Sequence, residues 1–389
     1  MDKGVAASRG IVVTACDYLI CGAGIAGASM AFELAPHASV IVAEQEDAPG
    51  YHTTGRSAAM YIESYGAAPV RALTAASRAF FDAPPEGFCD YPLLYTRGCL
   101  TIASQKQVPA LEALVGQLAA GLAEFRQLAG DEARAMVPAL APEAVARAVF
   151  EPNAADIDTN GLHAGFLKLA RARGARFRTS ARLDLVERVA GAWRVGLADG
   201  EVIEARIIVD AAGAWGDVVA ALAGAASLGL APRRRTAILV DLPAGTQSAD
   251  WPVVIDVDER FYFKPQSGLL LASPADETPS APVDAAPEEL DIAICVDRIQ
   301  SVLGFTVRRV VRAWAGLRTF APDRVPVIGF DAGVAGFFWL AGQGGFGMQT
   351  SPAAARLATA LALGRPVPED LAALGVTTGT FSPARFAGD

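Results

Sequence analysis

Residues Asp17–Glu46 read DYLICGAGIAGASMAFELAPHASVIVAEQE, and this stretch decides the fold of the chain. The apolar run Tyr18–Cys21 is typical of a buried parallel strand. A helix is predicted over Ile25–Leu34, and a second buried strand over Val40–Ala43. Strand, glycine turn, helix and strand in this order predict a Rossmann-like unit that binds a dinucleotide.

The glycine turn after the first strand has the GxGxxG pattern, formed by Gly22, Gly24 and Gly27. The first glycine allows a tight turn, the second lets a pyrophosphate approach the backbone, and the third lets the helix pack on the strand. The free N–H groups at the helix start, around Ile25 and Ala26, are expected to face the phosphates. An ordinary glycine turn is the weaker interpretation, because both strands, the helix and an acid accompany the pattern.

The acid is Glu44, which follows the second strand and precedes Gln45. A carboxylate at this position accepts hydrogen bonds from a ribose 2′-OH and repels a 2′-phosphate. The ligand is therefore expected to be a dinucleotide of the FAD or NAD type and not NADP.

Length and composition exclude several other classes. The 389 residues suffice for two domains, and 52% hydrophobic against 19% charged residues argue against disorder. A net charge of −9 argues against a nucleic-acid partner, which needs a basic face. Arg233–Arg235 is a basic cluster, but it is too short to change this conclusion.

The cysteine pattern and the hydropathy bear on the cellular setting. Five cysteines show neither a metal-binding spacing nor a disulfide framework, so no metal site is predicted and a reducing cytoplasm fits. No stretch of about 18 residues is apolar and uncharged, so no integral membrane segment is predicted. Residues 1–16 lack the apolar block of a signal peptide, and we expect a cytoplasmic protein.

Three further glycine-bearing turns favour FAD over NAD as the dinucleotide. A helix start beside flavin N1 and O2 would stabilise the negative charge that gathers there on reduction. The cofactor residues predicted from these turns are Thr54, Gly55, Arg56 and Ser57 in the first, Ala212, Gly213 and Trp215 in the second, and Gly342, Gly344, Gly345, Phe346, Gly347, Met348, Gln349 and Thr350 in the third and the helix that follows it.

The remaining pattern predicts an α/β fold with two domains. A discontinuous, Rossmann-like FAD-binding domain is expected over residues 1–60, 145–225 and 310–389. A substrate-binding domain with a mixed, largely antiparallel β-sheet is expected over residues 61–144 and 226–309.

Local patterns predict individual elements within these domains. One alanine- and leucine-rich helix is expected over Val108–Leu128, and a strand over Leu93–Ala103. Thr159 is expected to cap a helix that ends near Arg173, and the last glycine turn to lead into a helix that starts at Thr350.

Longer motifs resemble a known family. They read GYHTTGRSAAMYIESYGAAPVRALTAASRAFFDAPPEGFCDYPLL (50–94), ADIDTNGLH (155–163), AAGAWGD (211–217), PRRRTA (232–237), DERFYFKP (258–265), AWAGLRTFAPD (313–323) and GFFWLAGQGGFGMQTS (336–351). From about Asp17 to Arg385 the chain resembles the FAD-dependent D-amino acid oxidase superfamily, and within it the bacterial D-arginine dehydrogenases. The resemblance implies oxidation of a D-amino acid by hydride transfer from Cα to flavin N5. The resulting imino acid is hydrolysed to a 2-oxo acid and ammonia.

The resemblance also implies roles around the substrate. Arg318 matches the arginine whose planar fork holds both carboxylate oxygens. Tyr262 matches a tyrosine that holds the same group, with a core aromatic as the alternative interpretation. Arg235 matches a second arginine near the carboxylate, or is a solvated member of the basic cluster. Gly345 matches the glycine whose carbonyl receives the amine, and Tyr65 an aromatic that lines the side-chain end.

Other positions depart from the D-arginine dehydrogenase pattern. Cys99 stands where those enzymes carry the glutamate that pairs with the substrate guanidinium, and a buried cation left without its partner is costly. Met60 replaces a histidine and Ile62 a threonine, while Val253 and Ile255 add further hydrocarbon. We expect a wide, apolar and uncharged pocket that prefers apolar or aromatic D-amino acids over D-arginine and D-lysine.

Several alternatives stay open at this point. If the apolar positions belong to the core, Glu259 or Asp90 would supply the charge for a basic substrate. His52 lies where some related amine dehydrogenases attach flavin covalently, but we expect noncovalent FAD. The alternative functions are oxidation of sarcosine or another N-alkyl or achiral amine, and a non-catalytic FAD-binding protein. The electron acceptor is left open among O2, a quinone and another carrier.

Overall fold

Two large β-sheets form the framework of the molecule. The computed structural model describes residues 13–121 and 123–386. The predicted segment 1–60 and the expectation about a signal peptide include residues 1–12, which lie outside the described residues, as do residue 122 and residues 387–389.

The first sheet has eight strands and a parallel centre. In spatial order the parallel strands are Phe337–Ala341, Val202–Asp210, Val13–Cys21, Val40–Ala43 and Arg176–Arg178. The strands that join them antiparallel are Leu183–Val189, Ala192–Leu197 and Val327–Phe330. Cys21 lies beside Ala43 in the register, so the glycine turn and Glu44 meet at one carboxyl edge.

Helices pack on this sheet because their apolar faces match it. Ile25–Leu34, Thr159–Ala172 and Gly347–Ala362 enclose one buried core with the sheet. The rings of Phe32 and Phe166 meet there edge to face at 5.4 Å. The remaining helices are Ala68–Asp82, Val108–Ala119, Gly130–Met136, Gly216–Leu222, Glu289–Gln300, Glu369–Ala373 and Thr378–Phe381.

The second sheet has nine strands and is largely antiparallel. In spatial order they are Thr278–Pro279, Ala231–Val240, Leu269–Ser273, Tyr262–Gln266, Val253–Asp256, Cys99–Ala103, Arg147–Glu151 and Arg126–Ala129, with Val310–Phe320 paired to Ala231–Val240. The pairing of Val253–Asp256 with Cys99–Ala103 is parallel, so the sheet is mixed. The predicted fold class is confirmed. A small third sheet is formed by Met60–Tyr61, Ala155–Ile157 and Leu94–Thr96.

Three local predictions are wrong. The helix predicted over Val108–Leu128 ends at Ala119, and Arg126–Ala129 is a strand. The strand predicted over Leu93–Ala103 is two strands separated by Gly98, whose φ of +80° interrupts the extended backbone. The cap of the helix Thr159–Ala172 is Asp158, whose side chain accepts a hydrogen bond from the backbone of Gly161.

The domain boundaries stay a prediction, which strand pairing allows us to refine. Arg147–Glu151 and Val310–Phe320 fall inside the segments predicted for the FAD-binding domain. Both strands pair within the second sheet. We therefore propose to move the boundaries at 145 and 310 to the ends of these two strands.

Candidate active site

A cavity of about 680 Å³ opens where the carboxyl edge of the first sheet meets the second sheet. Gly22 and Glu44 line it on the first side, and Arg235, Tyr262 and Arg318 on the second. Open parallel sheets bind ligands outside the carboxyl ends of their strands. This cavity is therefore the candidate active site.

The GxGxxG turn is packed too closely for side chains. Gly22 has a φ of +101°, and a Cβ there would lie 2.6 Å from the carbonyl oxygen of Ala211. A Cβ on Gly27 would lie 1.9 Å from the carbonyl oxygen of Gly22. Gly22 and Gly24 line the cavity, whereas Gly27 lies behind it and lets the helix approach the strand.

Three side chains from other segments hold this turn. The N–H of Ala23 donates to Glu44 Oε2 at 2.8 Å, and the N–H of Ile25 donates to Thr54 Oγ1 at 3.0 Å. His163 donates from Nε2 to the carbonyl oxygen of Ala23 at 2.8 Å. Burial lowers the pKa of His163, which favours the neutral ring. Sequence reasoning missed His163, although it ends the motif ADIDTNGLH.

Arg56 lines the cavity, but its guanidinium serves the scaffold. Nη1 donates to the carbonyl oxygens of Ala285 at 2.8 Å and Ala315 at 3.1 Å, and Nη2 pairs with Asp284. The role of Arg56 as a cofactor residue stays a prediction, and these bonds join its guanidinium to protein groups. Arg56 ties the loop that carries Asp284 to the strand that carries Ala315.

The third glycine turn lies against the end of the strand that carries Arg318. The N–H of Gly344 donates to the carbonyl oxygen of Thr319 at 2.8 Å. A Cβ on Gly344 would lie 2.4 Å from the ring of Phe320, and one on Gly345 would lie 2.8 Å from Nη1 of Arg318. Glycine at these positions lets the loop and the guanidinium occupy adjacent space.

The helix that follows this turn begins at Gly347, three residues before the predicted start at Thr350. Gly347 and Met348 line the cavity, and the first N–H groups of a helix lack partners within it. Phe346 and Gln349 are buried, and neither lines the cavity.

Two arginines and two tyrosines meet at the second-sheet end of the cavity. Nη1 of Arg318 donates to Oη of Tyr65 at 3.3 Å, and Tyr262 lines the same end. Arg235 is only 9% exposed, and its Nη2 donates to Glu277 at 3.2 Å, so the alternative of a solvated surface arginine is wrong. Burial lowers the pKa of Arg235, and the positive charge of Arg318 lowers it further. Two neighbouring cations favour an anionic ligand such as a carboxylate.

The residues predicted to line the side-chain pocket come together in one apolar cluster. Its members are Met60, Ile62, Tyr65, Cys99, Val253 and Ile255, together with Ala154. The cluster lies beside the cavity and not on its wall, because Cys99 and Val253 are each only 1% exposed. Tyr65 connects the cluster to the cavity through Arg318.

Charged groups adjoin this cluster, so the prediction of an uncharged pocket is wrong. Glu151, which is 5% exposed, pairs with Cys99 on the neighbouring strand, and burial raises the pKa of its carboxyl group. Nζ of Lys264 lies 3.7 Å from Sδ of Met60 and 2.5 Å from Oδ1 of Asp156.

The two acids named from the sequence are not buried with the cluster. Glu259 and Asp90 are both exposed. The sequence did not identify Glu151, because it belongs to no motif. Only the strand pairing places it beside Cys99.

His52 is bound on both sides. Its Nε2 lies 2.8 Å from Oε1 of Glu46, and its ring lies 4.6 Å from that of Trp215. These contacts support a structural role for this histidine.

Most of the predicted cofactor residues line the cavity. They are Gly22, Gly24, Ile25, Ala26, Glu44, Gln45, Thr54, Arg56, Ser57, Ala212, Gly213, Trp215, Gly344, Gly345, Gly347 and Met348. The predicted residues that do not line it are Gly27, Gly55, Gly342, Phe346, Gln349 and Thr350. Lining residues that sequence reasoning missed include Arg182, Asp184 and Thr319.

Thr319 provides a test of what the cavity holds. Its Oγ1 is buried and has no hydrogen-bond partner within residues 13–121 and 123–386. A buried hydroxyl without a partner costs about 1–3 kcal/mol, which a bound polar group would offset. Glu44 can hold a ribose, and the glycine turn and helix start at Ile25 can hold phosphates. The lining residues therefore fit a flavin dinucleotide.

A family model described as FAD dependent oxidoreductase (DAO) matches residues 17–361. The chain belongs to this family. FAD is accordingly the cofactor of this FAD dependent oxidoreductase, as the glycine turns predict.

Individual relatives are more distant. FAD-dependent oxidoreductase domain-containing protein 1 from Xenopus laevis is 29% identical over 178 residues, which are 41% of this chain and 35% of that protein. The protein of the same name from Bos taurus is 27% identical over 177 residues, or 41% of this chain and 36% of that protein. The matched part thus spans about a third of the length of these curated relatives.

Solved structures share the fold. Glycine oxidase from Geobacillus kaustophilus superposes with a TM-score of 0.79 at 23% identity, covering 94% of this chain and 99% of that one. L-proline dehydrogenase from P.horikoshii also gives 0.79, at 19% identity, covering 97% and 99%. In the part of this oxidoreductase that the structure describes, no helix combines the length and the apolar composition needed to cross a bilayer.

Proposed function

We propose that this oxidoreductase deaminates α-amino acids of the D configuration, and that it prefers apolar or aromatic side chains to D-arginine and D-lysine. The Cα hydrogen leaves as a hydride that carries two electrons, and the amine nitrogen loses a proton to solvent. The resulting imino acid takes up water to yield a 2-oxo acid and ammonia. FAD, which we expect to be bound noncovalently, supplies the two-electron acceptor when it is present.

The observation that carries the proposal is the placement of Arg235, Arg318 and Tyr262 on one end of the FAD cavity. A planar guanidinium holds a carboxylate through two parallel hydrogen bonds, and a tyrosine hydroxyl adds a third donor. A substrate carboxylate would also relieve the repulsion between the two arginines. Fixing the carboxylate orients Cα, and orientation supplies much of the rate of such a reaction.

The same two arginines act on the substrate amine. Positive charge nearby disfavours an ammonium group and lowers its pKa, so the amine is bound more readily in its neutral form. The carbonyl of Gly345, on the cavity wall beside Arg318, is the acceptor that the family resemblance assigns to this amine. A neutral amine has the free electron pair that oxidation at Cα requires.

The side-chain preference rests on the apolar cluster and on the bonding of the charges around it. Lys264 is already paired with Asp156, and Glu151 already accepts a hydrogen bond from Ser64. Burial further disfavours the ionised form of Glu151. Asp156 is therefore already balanced by Lys264, and Glu151, in the neutral form that burial favours, does not balance a substrate cation. The D configuration rests on the family resemblance alone.

One observation favours a second candidate, oxidation of glycine or of an N-alkyl glycine such as sarcosine. Cys99 and Val253 are almost fully covered, so the cluster leaves little open volume for a long side chain. A small substrate would need no rearrangement of Met60 or Tyr65.

A substrate panel tests the proposal. The purified holoenzyme is offered D- and L-leucine, D- and L-phenylalanine, D-arginine, D-lysine, glycine and sarcosine, with an artificial dye and with O2 as acceptors. We expect kcat/KM for D-leucine or D-phenylalanine to exceed that for D-arginine by at least about tenfold, the effect of about 1.4 kcal/mol. A higher value for D-arginine contradicts the side-chain preference, and a higher value for sarcosine supports the second candidate.

Two further outcomes concern the cofactor. A yellow protein that no amine or amino acid reduces would favour a non-catalytic FAD-binding role. Acid precipitation should leave the flavin in solution, and a coloured pellet would indicate covalent attachment.

A further inference from the structure

We propose that Glu151 is a positioning residue, which holds the Tyr65 hydroxyl, and through it the Arg318 guanidinium, in place to bind the substrate carboxylate. This inference rests on the proposed function, because it assumes that Arg318 binds a carboxylate. It assigns a role to a buried acid that no sequence motif identifies.

Glu151 is buried without a cationic partner. It ends the strand Arg147–Glu151, is 5% exposed, and forms no ion pair with any residue of 13–121 or 123–386. Its Oε1 accepts a hydrogen bond from Oγ of Ser64 at 2.5 Å. Burial raises the pKa of Glu151, and the bonds from Ser64 oppose that rise. A buried acid lowers the stability of the fold unless it is hydrogen-bonded. The contact with Ser64 therefore indicates that Glu151 has a specific role in this structure.

Ser64 lies in the turn that presents Tyr65. The N–H of Tyr65 donates to the carbonyl oxygen of Ile62 at 3.2 Å, which closes the turn. The ring of Tyr65 lies 5.0 Å from that of Phe346, edge to face. Glu151 therefore holds the turn through Ser64, while Phe346 packs against the ring of Tyr65.

Tyr65 links this turn to the cavity through its hydrogen bond with Arg318. Its Oη accepts a hydrogen bond from Nη1 of Arg318 at 3.3 Å, and Gly345 leaves the guanidinium room on its other side. A guanidinium that is held before the substrate arrives loses less entropy on binding a carboxylate. Without Glu151 the turn loosens, Tyr65 spreads over several positions, and Arg318 loses an acceptor.

The effect should appear in substrate binding. With the preferred amino acid, the holoenzyme carrying Glu151→Ala should show KM raised about tenfold and kcat changed by less than about threefold. Glu151→Gln keeps an oxygen that accepts the Ser64 hydroxyl, so it should restore KM to within about threefold of the unchanged enzyme. Propionate, a carboxylate without an amine, probes the same site without turnover, and its Kd from the visible spectrum of the bound flavin should rise in parallel in Glu151→Ala.

A double-mutant cycle separates positioning from general damage. In a Tyr65→Phe background the hydroxyl is absent, so Glu151→Ala should raise KM by less than about twofold further. Equal effects of Glu151→Ala in both backgrounds would overturn the proposal. The matched control is Asp256→Asn, which alters another buried carboxylate of the same sheet, bonded to Arg260 and not to the Tyr65 turn. It should lower stability without raising the Kd of propionate.

The inference and the proposed function fail in different ways. If the unchanged enzyme oxidises no amino acid and binds no propionate, the proposed function fails. If it does both and Glu151→Ala leaves KM and Kd unchanged, the inference alone fails. A Glu151→Ala protein that does not fold is replaced by Ser64→Ala, which removes the same hydrogen bond from the other partner and should raise KM in the same direction.

Discussion

Arg318 reaches the cavity only because Gly345 has no side chain. A Cβ on Gly345 would lie 2.8 Å from Nη1 and 3.1 Å from Cζ of Arg318. Gly345→Ala should therefore push the guanidinium out of its carboxylate-binding position. We expect kcat/KM for the preferred amino acid to fall at least about tenfold, mainly through KM, and steady-state kinetics will measure it.

Gly347→Ala is the control for this prediction. Gly347 lines the same cavity two residues later, but a Cβ there would lie 3.4 Å from Cβ of Gln343, which is ordinary contact. Its kcat/KM should stay within about threefold of the unchanged enzyme. An equal loss of kcat/KM in Gly347→Ala and Gly345→Ala would mean that the activity depends on the conformation of the turn and not on the position of the guanidinium.

Some residues of the site can be predicted from the sequence and others cannot. Arg318 and Tyr262 stand inside long motifs, so their type and context can be recognised from the order of amino acids alone. Glu151 and Thr319 have no such context, because their roles arise from strand pairing and from burial. The hydrogen bonds of Arg56 to Ala285 and Ala315 could not be predicted from the sequence either, since these partners are more than two hundred residues away in the chain.

At the scale of elements, we expect the first glycine turn to tolerate added side chains poorly. Gly22→Ala would place Cβ 2.6 Å from a backbone oxygen of Ala211 and keep a φ of +101° that alanine disfavours. Overpacking of this kind costs about 1–3 kcal/mol, to which the backbone strain adds about 1–2 kcal/mol. We expect the variant to purify with little flavin and to unfold at lower urea concentration, as absorbance at visible wavelengths and circular dichroism will measure.

Gly174→Ala is the matched control for the glycine turn. Gly174 does not line the cavity and has a positive φ of +98°, and nothing lies within 4 Å of its added Cβ. Only the cost of placing alanine in a left-handed backbone conformation, about 1–2 kcal/mol, should remain. The variant should therefore keep most of its flavin. If both variants lose flavin equally, close packing at Gly22 is not what the turn requires.

Elements with strong local patterns match their predictions closely. The helix Ile25–Leu34 and the strand Val40–Ala43 have the predicted bounds, because apolar runs and adjoining glycines fix them locally. The helix predicted over Val108–Leu128 is wrong, since Arg126–Ala129 pairs with the strand Arg147–Glu151 and this pairing overrides local helix preference. The pairing of strands 310–320 and 231–240 was equally beyond any local pattern.

At the scale of the whole molecule, the cavity that we assign to FAD lies where the two sheets meet. The first sheet contributes Gly22 and Glu44 to the cavity, and the second contributes Arg235, Tyr262 and Arg318. The strand that carries Arg318 also contacts the glycine turn before the helix Gly347–Ala362. FAD, which the lining residues fit, would therefore contact both halves of the framework at once.

Removal of FAD should lower the stability of the whole chain and not of the first sheet alone. A ligand that binds only the folded state stabilises it by about 2.7 kcal/mol at a free concentration of 100 times Kd. We expect the apoprotein to melt at lower temperature than the holoprotein, and added FAD to raise Tm progressively with its concentration, as calorimetry will measure. NAD at equal concentrations should leave Tm unchanged. An apoprotein whose Tm equals that of the holoprotein, or one that NAD stabilises as well as FAD does, would contradict the assignment of this cavity to the flavin, because a cofactor that contacts both sheets must stabilise both.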